Sequence, residues 1–181
     1  MNFAPLKTRR LDLRPFGKND LESLRQLTQD CQTGHATAKT FFPADAAELP
    51  IWLKGRRADM VAGVGLAFGC WRRADHALLG VASLSLIKEK GDITFWFLAD
   101  IFGQGFEAEA ICRLVELAFH SLYITRICAV TDVASVKITS ILKESGLKLS
   151  CGTSTTDPAI VQHHGARHFE VKSSDARHQH K

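Results

Sequence analysis

A strand that runs through a glycine turn into a long helix constrains this chain more than any other stretch. Asp92 to Ala99 is short, aromatic and β-branched through Ile93, Thr94, Phe95, Trp96 and Phe97, which suits a strand buried on at least one face. Phe102-Gly103-Gln104-Gly105-Phe106 follows, with two glycines two apart where the chain must reverse. From Gly105 to Leu122 the apolar period becomes helical, through Phe106, Ala110, Leu114 and Leu117, while Glu109, Arg113, Glu116 and His120 mark a polar stripe. Glycines here can serve simply to bend the chain. They can also expose unpaired N–H groups at the positive end of a helix dipole, a seat that favours a phosphate.

The rest of the chain reads as hairpins before this stretch and as strand and helix after it. Leu11, Leu13 and Phe16 with intervening charges give a half-exposed first strand, and Asn19, with Glu22 three residues on, is placed to cap a helix ending near Asp30. A second helix covers roughly Ala46 to Val61, with Pro50 at its first turn or at a kink. Leu66 to Trp71 and Leu78 to Ile87 form a hairpin about the turn Arg72 to His76, and Lys88 to Gly91 turns into the Asp92 strand. Arg126 to Asp132 is another strand, followed by a helix from Val133 to Ser145 that ends at Gly146, a left-handed cap position. Leu147 to Cys151 and His168 to Val171 read as two last strands. The pattern alone gives a mixed α/β domain over residues 1–172 and a polar, frayed tail over 173–181.

Composition excludes several classes. No apolar run approaches the roughly 20 residues needed to span a bilayer, and the first residues lack a signal-peptide core, so a cytoplasmic protein is expected. Cys31, Cys70, Cys112, Cys128 and Cys151 are spread out, odd in number and without a C-x-x-C pair, which argues against a disulfide framework or zinc site, and no metal is expected. The net charge of +4 is mild, no nucleic-acid motif accompanies it, and the basic clusters read as solvated faces rather than a nucleic-acid surface.

Three segments carry a more specific signal. Thr8-Arg9-Arg10-Leu11-Asp12-Leu13-Arg14-Pro15-Phe16 is similar to T-E-R-L-x-L-R-P-[FW], Ile93-Thr94-Phe95-Trp96-Phe97-Leu98 to I-G-Y-W-L, and Gly103-Gln104-Gly105-Phe106-Glu107-Ala108-Glu109-Ala110 to G-Q-G-Y-A-T-E-A. Arg126 to Leu147 aligns without a gap to R-V-x-A-x-V-D-P-E-N-x-A-S-x-R-V-L-E-K-x-G-F. Together these resemble the GNAT N-acetyltransferases, most closely the RimJ/RimL-like branch. The resemblance implies an α/β acyl-CoA N-acyltransferase fold, with a mostly antiparallel central sheet, two splayed strands and flanking helices.

It further implies transfer of the acetyl group of acetyl-CoA to a primary amine, either a protein N-terminus or a small amine, by direct attack through a tetrahedral intermediate. The backbone of Phe97, Leu98 and Ala99 would hold the pantetheine, the N–H groups of Gly103, Gln104, Gly105, Phe106, Glu107 and Ala108 the pyrophosphate, and an N–H near Leu98 or Ala99 the oxyanion. Where the family writes [RQ]-x-x-G-x-[GA], this chain has Phe102 at the first position and Glu107 at the small one. A carboxylate there is favoured by the helix dipole yet repels a pyrophosphate seeking the same amides. Ser135 falls at the family's Asn and keeps a shorter hydrogen-bonding group for the cofactor; Ile138 falls at its Ser, and Leu142 at the Tyr that many relatives use as thiolate acid. Tyr123, the sole tyrosine, is not in that position. Asp92 is either a candidate base or a turn aspartate, Cys128 either core or catalyst, and Phe41 and Phe42 either wall the acceptor site or cover the core. The alternative is a degenerate domain of this family that binds acyl-CoA or a protein partner without catalysis, and a homodimer is left open.

Overall fold

A computed structural model of the chain describes residues 4–30, 43, 45–132, 135–150 and 166–176. Among these residues, β1 (Leu6–Lys7), β2 (Leu11–Arg14), β3 (Gly65–Arg72), β4 (Leu78–Ile87), β5 (Lys90–Phe97), β6 (Arg126–Asp132), β7 (Lys148–Ser150) and β8 (Ala166–Lys172) form one sheet in the order β1-β2-β3-β4-β5-β6-β8-β7. The first five strands follow one another as antiparallel neighbours, as short turns between alternating strands require. β5 and β6 are the parallel pair, and the helix α3 (Phe106–Ser121) makes the crossover between them. The sheet is therefore mixed and mostly antiparallel, and the fold is the expected one.

Two cores lie on opposite faces. Leu11 and Leu13 from β2, Ile93, Phe95 and Phe97 from β5, and Ile127 and Ala129 from β6 pack under α3 and α4 (Val136–Glu144), whose Ile111, Leu114, Ile138 and Leu142 close that side. On the other face Trp71, Val81 and Trp96 meet Leu24 and Leu27 of α1 (Leu21–Asp30) and Leu49 and Leu53 of α2 (Leu49–Ala62). Alternation along β5 thus sends odd-numbered side chains to α3 and even-numbered ones to α1 and α2. Each fully buried side chain of this size adds about 1.5–3 kcal/mol, so the α3 face fixes the strand register.

Several local expectations shift. The α1 entry is made by Asp20 rather than Asn19: a 3-10 turn, Lys18–Asp20, precedes the helix, and the Asp20 carboxylate accepts the Gly17 N–H at 2.6 Å and both Arg14 guanidinium nitrogens at 2.6 and 2.9 Å. Pro50 sits in the first turn of α2, where its missing N–H costs nothing. Gly146 has φ +84, the left-handed cap the sequence indicated. Ser173–Ala176 form a helical turn tied back by Ser173 N–H to the Thr125 carbonyl at 3.0 Å and by Lys148 to Asp175 at 3.5 Å.

Candidate active site

β5 and β6 pair at three rungs only, Lys90 with Arg126, Gly91 with Ile127 and Asp92 with Cys128. Beyond them β6 stays with β8 along its whole length, from Arg126 opposite Lys172 to Asp132 opposite Ala166, while β5 stays with β4 as far as Phe97 opposite Gly80. The strands therefore part after Asp92. Leu98 donates its N–H to the Leu79 carbonyl at 3.0 Å, on the β4 side. Because main-chain groups alternate sides along a strand, those of Phe97 and Phe95 face the other way, into the gap left by β6. A strand edge buried between two elements, with donors and acceptors aimed into a cleft, is a ready partner for an extended ligand with amides of its own.

That hydrogen bond also bears on the expected oxyanion donor. The Leu98 N–H belongs to the β4 ladder, so the cleft-facing N–H nearest the strand end is that of Phe97. Ala99 opens a 3-10 turn, Ala99–Ile101, and its carbonyl accepts the Phe102 N–H at 3.4 Å. Gly80 lets β4 approach this end: a Cβ there would lie 2.3 Å from the Trp96 carbonyl oxygen, a backbone atom that has nowhere to go.

The chain then enters the glycine turn. Gly103 and Gly105 both have left-handed backbone, φ +86 and +79, which only glycine adopts without strain. The first backbone hydrogen bond of α3 runs from the Glu109 N–H to the Gly105 carbonyl at 3.1 Å, so the N–H groups of Phe106, Glu107 and Ala108 lie ahead of the helical ladder. Arg10 holds the outside of this turn. Its guanidinium donates to the Gln104 carbonyl at 2.9 Å and to the Glu109 carboxylate at 2.7 Å, and it stacks 4.1 Å above the Phe106 ring. Glu109 also accepts the Arg10 N–H at 2.7 Å and the Thr8 hydroxyl at 2.5 Å. Burial pushes the Glu109 carboxyl up, but these donors together reverse the shift and leave its pKa below the ordinary value.

Glu107 is the opposite case. It is 0% exposed, and neither carboxylate oxygen has a hydrogen bond of good geometry. Burial drives its pKa up, the nearby N–H groups of Glu107 itself and of Gly103 pull it down, and Glu144 at the end of α4 raises it further; the net direction is up. Its side chain is turned inward, against the amides that make the turn attractive to an anion.

The other expected site residues scatter more widely. Asp92 is 6% exposed at the vertex of the splay, level with Cys128 on β6 and through it with Glu170 on β8. Two residues along the same face, the Thr94 and Ser83 hydroxyls pair at 2.7 Å. Ser135 is the N-cap of α4 but makes no side-chain cap bond, which leaves its hydroxyl for other partners. Ile138, Leu142 and Cys128 are core residues. Tyr123 is exposed beyond the end of α3, away from the cleft. Phe41 and Phe42 lie outside the described residues. Among the described residues no group of His, Cys, Asp and Glu has the arrangement of a metal site, and no helix is long and apolar enough to cross a membrane.

Sequence reading missed the clamp of Thr8, Arg10 and Glu109. All three stand inside segments that the family resemblance picks out, yet pairing them across about 100 residues needs the fold.

A parted pair of strands beside a glycine turn, on a sheet with a single parallel junction among the described residues, is the arrangement that the family resemblance implies for an acyltransferase. The chain belongs to the GNAT acetyltransferase family, whose domain model, described as an acetyltransferase (GNAT) domain, matches residues 10–148. Solved structures agree in fold. One from Vibrio cholerae, described as a ribosomal-protein-serine acetyltransferase, has TM-score 0.79 at 19% identity, over 95% of this chain and 99% of that one. RimJ of Mycobacterium smegmatis, in complex with a CoA disulfide, has TM-score 0.73 at 16% identity, over 91% and 83%. RimL, a ribosomal-protein acetyltransferase in complex with coenzyme A, has TM-score 0.76 at 14% identity, over 93% and 98%. These neighbours show that the fold is shared. No curated protein matches the sequence closely enough to count as a relative.

Proposed function

We propose that this enzyme moves the acetyl group of acetyl-CoA to a primary amine in a single direct attack, in the cytoplasm. The observation that carries the reading is the parting of β5 from β6 after Asp92, which turns the main chain of Phe95 and Phe97 into the cleft. There the pantetheine arm adds alongside β5 as an extra strand, and the Phe97 N–H donates to the oxygen that gains charge as the tetrahedral intermediate forms. The amine enters from the α1 and α2 side, the face of β5 that carries the polar side chains of Asp92 and Thr94. On that entry side Asp92, with Thr94 and Ser83 beside it, takes the proton the amine must lose, and Ser135 donates to the cofactor at the start of α4. No tyrosine stands where relatives place a thiolate acid, so the departing thiolate is protonated by water or by the ammonium proton itself.

The test is release of free CoA thiol from acetyl-CoA with a panel of small amines and N-terminal peptides. Amine-dependent release, reduced at least about tenfold by Asp92→Asn, supports the proposal. Binding of CoA without release by any amine favours a domain that holds an acyl-CoA or a partner without turnover. Glu107 is the observation on that side.

A further inference from the structure

The free main-chain edge at Phe95 and Phe97 suits a pantetheine arm, and one part of the turn does not suit a pyrophosphate. Among the N–H groups of the turn, those of Gly103 and of Glu107 itself lie near the Glu107 carboxylate, which is fully buried with neither oxygen in a hydrogen bond of good geometry. A diphosphate arriving there finds its seat taken by a group of its own sign.

We infer that Glu107 is a built-in occupant of the anion seat, so that this chain takes up CoA at the turn only together with a proton on Glu107. The inference rests on the acetyl-CoA reading above and deepens it.

Glu107 lies on the inward stripe of α3 with Ile111, Leu114 and Ala118, which makes outward rotation into solvent a change of the whole first turn rather than a rotamer flip. The charged groups acting on it come from α4 and from the segment ahead of β2. Glu144 of α4 opposes its ionisation, as does the surrounding apolar packing; Arg10, ahead of β2, favours it from the far side of the turn; and Glu109, on the same helix, is itself tied to Arg10. Arg10 is already held by Glu109, the Gln104 carbonyl and the Phe106 ring, so it cannot swing across to neutralise Glu107 without undoing the clamp. The remaining route to a neutral side chain is a proton from solvent. Protonated, Glu107 no longer repels the diphosphate and can give it an O–H donor, so the turn becomes a seat for one more anion oxygen. The proton balance is one taken up per CoA bound wherever free Glu107 is ionised. Acetyl-pantetheine has no diphosphate and incurs no such requirement.

The experiment is calorimetric titration of CoA into the native chain, Glu107→Gln and Glu107→Ala at pH 6, 7 and 8, in two buffers of different ionisation enthalpy, with acetyl-pantetheine as the second ligand. Thermal melts confirm that all three proteins fold. Over the range where Glu107 ionises, native affinity for CoA is expected to fall about tenfold per pH unit relative to Glu107→Gln, with about one extra proton taken up. The Gln variant subtracts the titration of the nucleotide's own phosphate. Acetyl-pantetheine is expected to bind all three alike at every pH, and CoA binding by Glu107→Ala alone would be the extreme form of the same result. Equal CoA affinity and equal proton uptake for native and Gln proteins would overturn the role of Glu107 while leaving the cofactor reading intact. Failure of all three proteins to bind either ligand would overturn the cofactor reading and the inference with it.

Discussion

Glu107 and Glu109 stand two residues apart in the first turn of α3, and the fold treats them in opposite ways. Glu109 points toward the start of β2 and collects the Thr8 hydroxyl, the Arg10 N–H and the Arg10 guanidinium. Glu107 points toward α4 and collects no hydrogen bond of good geometry. Both feel the same helix dipole, which favours negative charge at this end. The dipole is therefore not what separates them. Partners decide: a carboxylate that makes three well-formed hydrogen bonds is a strut between two elements, and one that only lies near two backbone N–H groups is a costly buried charge.

The largest effect should come from removing the strut. Glu109→Ala leaves Arg10 without its carboxylate and detaches β2 from the turn, for a loss of about 3 kcal/mol and a Tm lower by roughly 6–12 °C. Glu109→Gln keeps an acceptor and should recover part of that loss, measured in the same melt. A smaller change of opposite sign should follow at the neighbour. Glu107→Met, close in volume and apolar, should raise stability by about 1–2 kcal/mol and Tm by roughly 2–8 °C at neutral pH. If Tm falls instead, the inward carboxylate has partners and the contrast fails.

The pH dependence separates the two residues without changing their shape. Glu107 has its folded pKa raised above 4.5, so its contribution is fully favourable below that value and is lost as pH rises through the folded pKa. Glu109 has its folded pKa lowered, so its contribution is present above 4.5 and is lost as pH falls through the folded pKa. Urea titrations at several pH values should thus show the native curve falling relative to Glu107→Gln as pH climbs, and rising relative to Glu109→Gln as pH climbs from acid. The smallest expected effect is that of Arg10→Lys. It keeps the charge but loses the fork that reaches Gln104 and Glu109 together, at about 1 kcal/mol.

Much of this arrangement was legible before any coordinates. Aromatic and β-branched residues from Ile93 to Phe97, two glycines, and a helical period from Phe106 onward can be satisfied by few structures, and the strand, turn and helix lie where the pattern puts them to within two residues. The family motifs supplied what periodicity could not, namely that β5 and β6 part. What stayed hidden was pairing. The commitment of the Leu98 N–H to Leu79 depends on the register of β4 against β5, and a shift of one residue would have handed the cleft to Leu98 instead of Phe97. The Arg10 clamp joins residues about 100 apart. Glu107 stood out as a departure from the motif, yet its inward orientation follows from which side of α3 meets α4, and no spacing rule reports that.

The most direct measurement is a crystal structure of Glu107→Ala with acetyl-CoA. The expected result has the diphosphate on the N–H groups between Gly103 and Ala108, the pantetheine alongside Phe95 and Phe97, and the thioester carbonyl within hydrogen-bond reach of the Phe97 N–H. A diphosphate seated away from the turn, or a thioester carbonyl on the Leu98 side of β5, would contradict it.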